Sequence, residues 1–151
     1  MGAIDIQSSQ AQSAVKLQWE LVRHYLAILQ MRMGERLSFD ISAPPDLLSA
    51  RLPTLVLPTL VENAIKHGLS PLPGGGHIQI SAAHAADGGL TVEVADNGQG
   101  FGAASGGAGV GLANTRARLA GRFGDAATLE LEAAQPRGVV ARVHLPAQAL
   151  A

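Results

Sequence analysis

The spacing of apolar residues predicts a long amphipathic helix near the N-terminus. Between residues 15 and 33 the apolar positions alternate spacings of four and three, which places them on one face of a helix. That face needs a partner, and two remain open: the rest of the same domain, or another domain or subunit. About two heptads are too few to decide between them. The face consists of Val15, Trp19, Val22, Leu26, Leu29 and Met33.

After Gly34 the pattern changes to a period of two. The segment RLSFDIS (residues 36–42) alternates apolar and polar residues, which predicts a strand with one buried face, and Pro44 and Pro45 end it. A helix is predicted next, covering much of Leu52 to His67. Pro58 is expected to confine the regular part of that helix to its later turns.

Two strand pairs flank a glycine-rich stretch in the second half of the chain. The first pair is HIQISA and LTVEVAD, joined by the turn-forming ADGG, and the second is ATLELEA and GVVARVHLP. Between the pairs, a loop is predicted from Gly98 to Gly111 and a helix from Leu112 to Phe123, with Gly124 just beyond its end. The elements predict a two-layer α/β (α+β) sandwich, in which helices cover one face of a mixed, mainly antiparallel sheet.

Composition excludes several functional classes. A chain of 151 residues, 47% of them hydrophobic, fits one globular domain. The net charge of -1 and the lack of a Lys/Arg-rich run argue against a general nucleic-acid binder. The chain has no cysteine, so disulfides, thiolate metal sites and cysteine nucleophiles are excluded. No apolar stretch approaches the roughly 20 residues of a membrane span, and we expect a soluble chain.

The segment LVENAIKHG (residues 60–68) raises the first question of chemistry. Asn63 is a poor helix-interior residue because its side chain competes for backbone hydrogen bonds. On a helix, Glu62, Asn63, Lys66 and His67 are three or four residues apart and share a neighbourhood. They could form one polar site. Alternatively, Glu62 and Lys66 form an exposed ion pair and Asn63 faces water, which is the interpretation that this segment alone slightly favours.

The segment VADNGQGFG (residues 94–102) shifts the balance between these two interpretations towards a polar site. Asp96 ends an apolar strand, and an Asn-Gly pair there most often marks a hairpin turn, but no alternating strand follows. The small residues that follow instead suit a lid that closes over a ligand. The last glycines lead into a helix N-terminus, whose free N–H groups attract phosphate. The loop lacks the Gly-Lys-Ser/Thr of a P-loop, and its formal dinucleotide pattern at Gly98, Gly100 and Ala103 has no parallel βαβ unit around it.

Three segments together, LVENAIKHG, VADNGQGF and GAGVGLANTRARLAGRFG, resemble in order and spacing the N, G1 and G2 boxes of the GHKL ATPase superfamily. The resemblance is greatest to the ATP-binding domain of bacterial sensor histidine kinases of the LytS/YehU type, which implies a Bergerat fold with a glycine-rich lid. Upstream, WELVRHYLAILQMRMGERLSFDI resembles the segment that links the phosphoacceptor region of these kinases to the ATP-binding domain. The implied organisation is a linking helix over residues 1–36 and a catalytic domain over 37–151.

The resemblance implies a role for each matched residue. Asn63 would coordinate magnesium through its amide oxygen, and Glu62 would orient or deprotonate the attacking group. Lys66 would face phosphate and His67 would line the pocket. Asp96 would accept a hydrogen bond from the adenine amino group. The remaining implied ATP contacts are Gly98, Gly100, Gly109, Val110, Gly111, Leu112, Asn114 and Arg116.

The sequence also departs from the family pattern. The phosphoacceptor motif, a His followed by aromatic residues and Asn, is absent, and His24 in VRHYLAI is interpreted as a surface or packing residue. Val139 stands where the family often has Thr, which puts a hydroxyl contact there in doubt, and the last strands are interpreted as simple sheet closure. We therefore expect no phosphorylation of this chain on the family's histidine.

The implied function is that of an ATP- and magnesium-binding catalytic domain of a two-component sensor histidine kinase. Its γ-phosphoryl acceptor would be a histidine of a separate phosphoacceptor region, with a response regulator downstream. Alternatives are a GHKL ATPase, an anti-sigma-factor-type serine kinase, or a non-catalytic module that senses adenine nucleotides. The expected location is the cytoplasm, in a membrane-anchored kinase that this part does not itself anchor. A homodimer through the N-terminal helix is a further expectation.

Overall fold

A computed structural model describes residues 12–53, 56–69, 73–99 and 105–150. A π-helix, Ala64–Leu69, continues the second α-helix, and short 3-10 turns lie at Gly34–Arg36, Pro45–Leu47, Gly124–Ala126 and Ala147–Leu150. In chain order the strands and α-helices are β1 (Gln12–Ala14), α1 (Val15–Met33), β2 (Leu37–Ser42), β3 (Arg51–Pro53), α2 (Val56–Asn63), β4 (Gly76–His84), β5 (Leu90–Asp96), α3 (Ser105–Phe123), β6 (Thr128–Ala133) and β7 (Val139–Leu145).

The main sheet has five strands in the order β2-β4-β5-β7-β6. Strands β2 and β4 are parallel, and the other three pairings are antiparallel. A separate two-stranded antiparallel sheet pairs β1 with β3. The prediction of a mixed, mainly antiparallel sheet is therefore confirmed.

The two faces of the main sheet differ in polarity, as strand periodicity requires. One face of β4, β5 and β7 is buried in a single hydrophobic core that also contains residues of all three helices. On the opposite face, Arg142 donates hydrogen bonds to Glu93 at 2.6 Å and Glu132 at 2.8 Å, which raise the pKa of its guanidinium. Helices on one face and polar side chains on the other confirm the two-layer sandwich.

Helix α1 packs against its own domain. Val15, Trp19, Val22 and Leu26 of the predicted apolar face are buried, and Leu29 and Met33 pack partly against the same core. Of the two partners left open by the sequence, the apolar face of α1 therefore packs against the rest of the same domain.

The pattern did not predict that Gln18 is also buried on α1. Its amide nitrogen donates to the carbonyl oxygens of Leu52 and Pro53 at 3.4 and 3.3 Å, and its amide oxygen accepts from the N–H of Leu57 at 3.2 Å. A buried polar side chain is tolerated when it is hydrogen-bonded in this way. Gln18 thus ties α1 to β3 and to the start of α2.

The start of α3 was predicted wrongly, whereas α2 and its π-helical continuation cover much of Leu52 to His67, as predicted. Helix α2 begins at Val56, since Leu52 lies in β3. Pro58 lies in the first turn of α2, where a missing N–H costs no intrahelical hydrogen bond, so it does not shorten the helix. Helix α3 begins at Ser105 rather than Leu112, although the added residues 105–111 include four glycines, each of which costs a helix about 1 kcal/mol relative to alanine.

Within the described ranges, no helix combines the length and the apolarity needed to cross a bilayer.

Candidate functional site

The site is built around the carboxylate of Asp96, the last residue of β5. Strand alternation places Asp96 on the same inward face as Leu90, Val92 and Val94, and it is only 7% exposed. Burial raises the pKa of Asp96, while hydrogen bonds from the backbone of Gly98 and Val139 oppose this rise. Among the described residues no ion pair reaches Asp96, and a buried carboxylate of this kind suits the recognition of a polar ligand group.

Two glycines allow the end of the π-helix to lie directly against this carboxylate. A Cβ on Gly68 would lie 2.8 Å from Oδ1 of Asp96, and a Cβ on Gly98 would lie 2.2 Å from the carbonyl oxygen of Gly68. The N–H of Gly98 donates to Oδ1 of Asp96 at 2.8 Å. The glycines are therefore required by close approach, in which backbone and carboxylate occupy the space of a side chain.

The turn after β5 is fixed by hydrogen bonds on two sides. The N–H of Gln99 donates to the carbonyl oxygen of Gly68 at 3.0 Å, and the side-chain amide of Gln99 donates to the carbonyl oxygen of His67 at 2.8 Å. On the other side, the amide oxygen of Asn97 accepts from the N–H of His77 at 2.8 Å. The turn is thereby joined to the π-helix and to β4.

The β6–β7 hairpin also supports this turn. Gly138 has φ +108°, and a Cβ there would lie 1.9 Å from the carbonyl oxygen of Asp96. The guanidinium of Arg137 donates to the carbonyl oxygen of Asn97 at 3.1 Å. Val139 lacks the hydroxyl of the family's Thr, but its backbone hydrogen-bonds to Asp96. The interpretation of these strands as simple sheet closure was therefore incomplete.

The second half of the site is the junction of α2 with its π-helical continuation. Asn63 is the last residue of α2 and is partly buried, and its amide nitrogen is buried without a hydrogen-bond partner in the part of the chain that the structure describes. A buried amide lacking a partner is uncommon and calls for a ligand or another explanation. A π-helical segment inside a helix is itself frequent at functional sites.

The π-helix changes the spacing assumed for the other polar residues. Glu62 and Lys66 are both exposed and His67 is partly buried. Residues four apart lie one above the other only in an α-helix, and α-helical geometry ends at Asn63, between Glu62 and Lys66. No salt bridge joins these two side chains in the described chain. The predicted Glu62–Lys66 ion pair is therefore not formed. Instead, the negative charge of Glu62 adds to burial in raising the pKa of Tyr25 on α1.

The donors present fit magnesium better than a transition metal. The described residues contain no group of three or more His, Cys, Asp or Glu side chains that could hold a metal ion. Magnesium, by contrast, needs few protein ligands, because it keeps waters and binds substrate phosphates. The amide oxygen of Asn63 is a suitable hard ligand for it. The unpartnered atom of this side chain is its nitrogen, a hydrogen-bond donor, so that observation points to an acceptor on a ligand and not to the metal itself.

The predicted phosphate-binding glycines lie elsewhere than expected. Gly109 and Gly111 are inside α3, together with Val110, so the prediction of a loop reaching Gly111 was wrong. Gly111 lies near α2, since a Cβ there would be 3.5 Å from the side-chain methyl of Thr59. Gly100 lies outside the described residues.

Three further predicted residues are also on α3. Leu112 is buried in the core and Asn114 is exposed. The guanidinium of Arg116 donates to the carbonyl oxygen of Leu129 on β6 at 3.4 Å, so its described contacts are with the sheet and not with Asp96 or Asn63.

The structure thus brings together Asp96, Gly98, Gly68 and the Asn63–His67 segment. Sequence reasoning missed Gly68, Gln99 and Gly138. Gly68 and Gln99 stand inside the segments singled out, but nothing in their local pattern shows that they contact one another.

Comparison with known proteins agrees with this geometry. Residues 49–149 match the family described as histidine kinase-, DNA gyrase B-, and HSP90-like ATPase. The chain is 33% identical over 131 residues to the sensor histidine kinase YesM of Bacillus subtilis, covering 84% of the chain and 22% of YesM. It is 31% identical over 135 residues to the sensor histidine kinase/phosphatase LytS of Staphylococcus aureus, covering 80% of the chain and 23% of LytS.

A solved structure shows the same fold. The catalytic domain of the histidine kinase ThkA superposes with a TM-score of 0.66 at 18% identity, over 89% of this chain and 93% of that domain. The chain spans less than a quarter of the length of YesM and of LytS. The predicted membership of the GHKL superfamily is confirmed. The chain belongs to the histidine kinase-, DNA gyrase B-, and HSP90-like ATPase family, and the relatives that show this are sensor histidine kinases.

Proposed function

We propose that this domain binds ATP with magnesium and, in the longer kinase, donates the γ-phosphoryl group to a histidine of the phosphoacceptor region. A response regulator would then receive the phosphoryl group. The observation that carries this proposal is the buried carboxylate of Asp96, held against Gly68 and Gly98. The same π-helical segment that brings Gly68 there follows Asn63, whose amide nitrogen is buried without a partner among the described residues.

Asp96 accounts for selection of adenine. Its carboxylate accepts a hydrogen bond from the exocyclic amino group of adenine, whereas guanine presents a carbonyl oxygen at the corresponding position. Two acceptors facing each other at a buried site leave both without a partner, which costs about 1–3 kcal/mol or more. Burial of Asp96 strengthens this discrimination, because little water reaches the carboxylate to compensate.

The α2 junction accounts for the phosphate side. Phosphoryl transfer depends mainly on positioning and on neutralising charge, and bound magnesium supplies much of that neutralisation. Asn63 would hold the ion through its amide oxygen, and Lys66, whose side chain is exposed, would bring an ammonium group to the phosphates. Glu62 is exposed beside Tyr25 and orients the incoming imidazole. His67 lines the pocket between the two halves.

A second apolar face of α1 supports a partner for this helix in the longer kinase. Exposed fractions are 59% for Leu17, 54% for Leu21, 60% for Ile28 and 86% for Met31, on the side away from the core. Their spacing resembles a short coiled-coil seam. We propose that this face pairs with a second copy of the chain. We further propose that residues 1–36 form a linking segment before a catalytic domain at 37–151, on the cytoplasmic side of a membrane-anchored kinase.

Calorimetric titration with ATP, ADP and GTP, each with and without magnesium, tests the nucleotide site. Saturable binding of ATP that responds to magnesium, with GTP bound more weakly, is the expected result. Equal binding of GTP and ATP, or no binding of either, would contradict the proposal. Transfer of labelled phosphate to an added acceptor domain then distinguishes a kinase from a module that only senses nucleotide.

A further inference from the structure

Gln99 makes two hydrogen bonds to consecutive carbonyl groups of the π-helix. Its backbone N–H donates to the carbonyl oxygen of Gly68 at 3.0 Å, and its side-chain amide donates to that of His67 at 2.8 Å. No predicted role was assigned to this residue. Gln99 stands between the two glycines of the segment DNGQG, and the N–H of the first of them, Gly98, donates to Asp96.

These two carbonyl groups belong to the end of a helix. The last carbonyls of a helix have no intrahelical partner and must be satisfied from outside. His67 and Gly68 lie near the end of Ala64–Leu69, and Gln99 supplies a donor to each of them from the turn after β5. Gln99, which lies 32 positions after His67 in the sequence, therefore caps this helix.

The bonds cross the boundary between the two halves of the proposed site. On one side is the Asp96 turn, which would hold adenine, and on the other is the segment from Asn63 to His67, which would hold magnesium and phosphate. ATP must reach both halves at once, so their separation has to match its length. A shift of about 1 Å between binding groups is enough to weaken positioning substantially.

We propose that Gln99 is a positioning residue that fixes the separation between the adenine side and the phosphate side of the site. This inference rests on the proposed nucleotide function. The backbone bond to Gly68 persists in any variant, so the bond from the side-chain amide to the carbonyl oxygen of His67 is the contact that a substitution removes.

Gln99→Met tests the proposal because it removes the amide donor, keeps the length of the side chain and adds no charge. The matched control is Gln30→Met on α1. The amide of Gln30 also donates to a backbone carbonyl, that of Leu37, at 2.9 Å and in a similarly part-buried setting. Both variants lose one neutral side-chain-to-backbone hydrogen bond, and only one of them lies at the site.

The readout is the ratio of the Kd for adenosine to the Kd for ATP with magnesium, measured by calorimetry. Adenosine contacts the adenine side alone, whereas ATP contacts both. A lost neutral hydrogen bond corresponds to roughly 2- to 10-fold in an equilibrium constant. We therefore expect Gln99→Met to lower the ratio by about 2- to 10-fold, and Gln30→Met to leave it unchanged even where both lower the unfolding temperature equally.

Each result decides one question. Failure of the wild-type chain to bind ATP overturns the proposed function and the role of Gln99 with it. ATP binding by the wild type, with the same ratio in Gln99→Met, overturns the role of Gln99 alone. If Gln99→Met does not fold, Gln99→Asn replaces it, since its amide is one methylene too short to reach His67, and the same fall in the ratio is expected.

Discussion

Replacing Gly98 by alanine should destabilise the domain even without nucleotide. A Cβ at this position would lie 2.2 Å from the carbonyl oxygen of Gly68 and 2.3 Å from its carbonyl carbon. Ordinary non-bonded contacts between heavy atoms lie at about 3.5–4.0 Å, so the two segments would have to separate by more than about 1 Å. Both clashing atoms of Gly68 belong to the backbone, and no rotamer change can relieve the overlap.

The cost follows from this geometry. Overpacking in a well-packed interior costs about 1–3 kcal/mol, and a clash with the backbone should reach the upper end of that range. For a domain of this size, 1 kcal/mol corresponds to roughly 2–4 °C in the unfolding temperature. Gly98→Ala should therefore unfold about 6–12 °C below the wild type. Its ATP affinity should fall as well, since the shift displaces Asp96 from Gly68.

Gly121→Ala provides the matched control. Gly121 lies in α3, and a Cβ there would have no heavy atom within 4 Å. The same substitution should stabilise the helix by up to about 1 kcal/mol, and both variants reduce the freedom of the unfolded chain in the same way. Thermal unfolding of the three proteins, followed by circular dichroism without nucleotide, makes the comparison. Equal unfolding temperatures for Gly98→Ala and Gly121→Ala would refute the close-approach argument.

Other predictions concern charge, metal and the loop. Folding raises the pKa of Asp96 above its value in the unfolded chain. At pH values above the unfolded pKa, ionisation of Asp96 therefore lowers the stability of the folded state. Asp96→Asn should therefore raise the unfolding temperature at neutral pH, and this gain should shrink as the pH falls towards the pKa of Asp96 in the unfolded chain. A gain that does not vary with pH contradicts this. The same variant should also reduce selectivity for ATP over GTP. The pKa of Asp87 is instead lowered, chiefly by the N–H of Gly89 and then by His144, so its ionised form stabilises the folded state. Asp87→Asn should therefore lose stability at neutral pH, and this loss should disappear in acid. Asn63→Asp should alter the magnesium dependence of ATP binding, and an identical titration in both proteins would remove Asn63 as the ligand. Protease cleavage within residues 98–111, a range whose second half is the start of α3, should slow when ATP binds. Equal rates with and without ATP would exclude closure of the predicted lid.

The sequence by itself determined the periodic parts of the fold. The buried face of α1 and the strands β2, β4, β5, β6 and β7 were predicted, because a surface that is buried on one side imposes its own period on the chain. The three segments that identified the family were also visible as sequence. Their residue roles remain predictions, since no ligand contact has tested them.

Only the tertiary structure decided the contacts that make the site. Strands β1 and β3 have three residues each, too few for a period to show. Burial of Gln18 and the early start of α3 depend on neighbours that the local pattern does not contain. The contact of Gly68 with Asp96 and the bonds of Gln99 to the π-helix join residues about 30 positions apart, as the separation of 32 between Gln99 and His67 illustrates. Periodicity reports which side of an element is buried, whereas these contacts depend on how elements meet, and that is set by packing of the whole core.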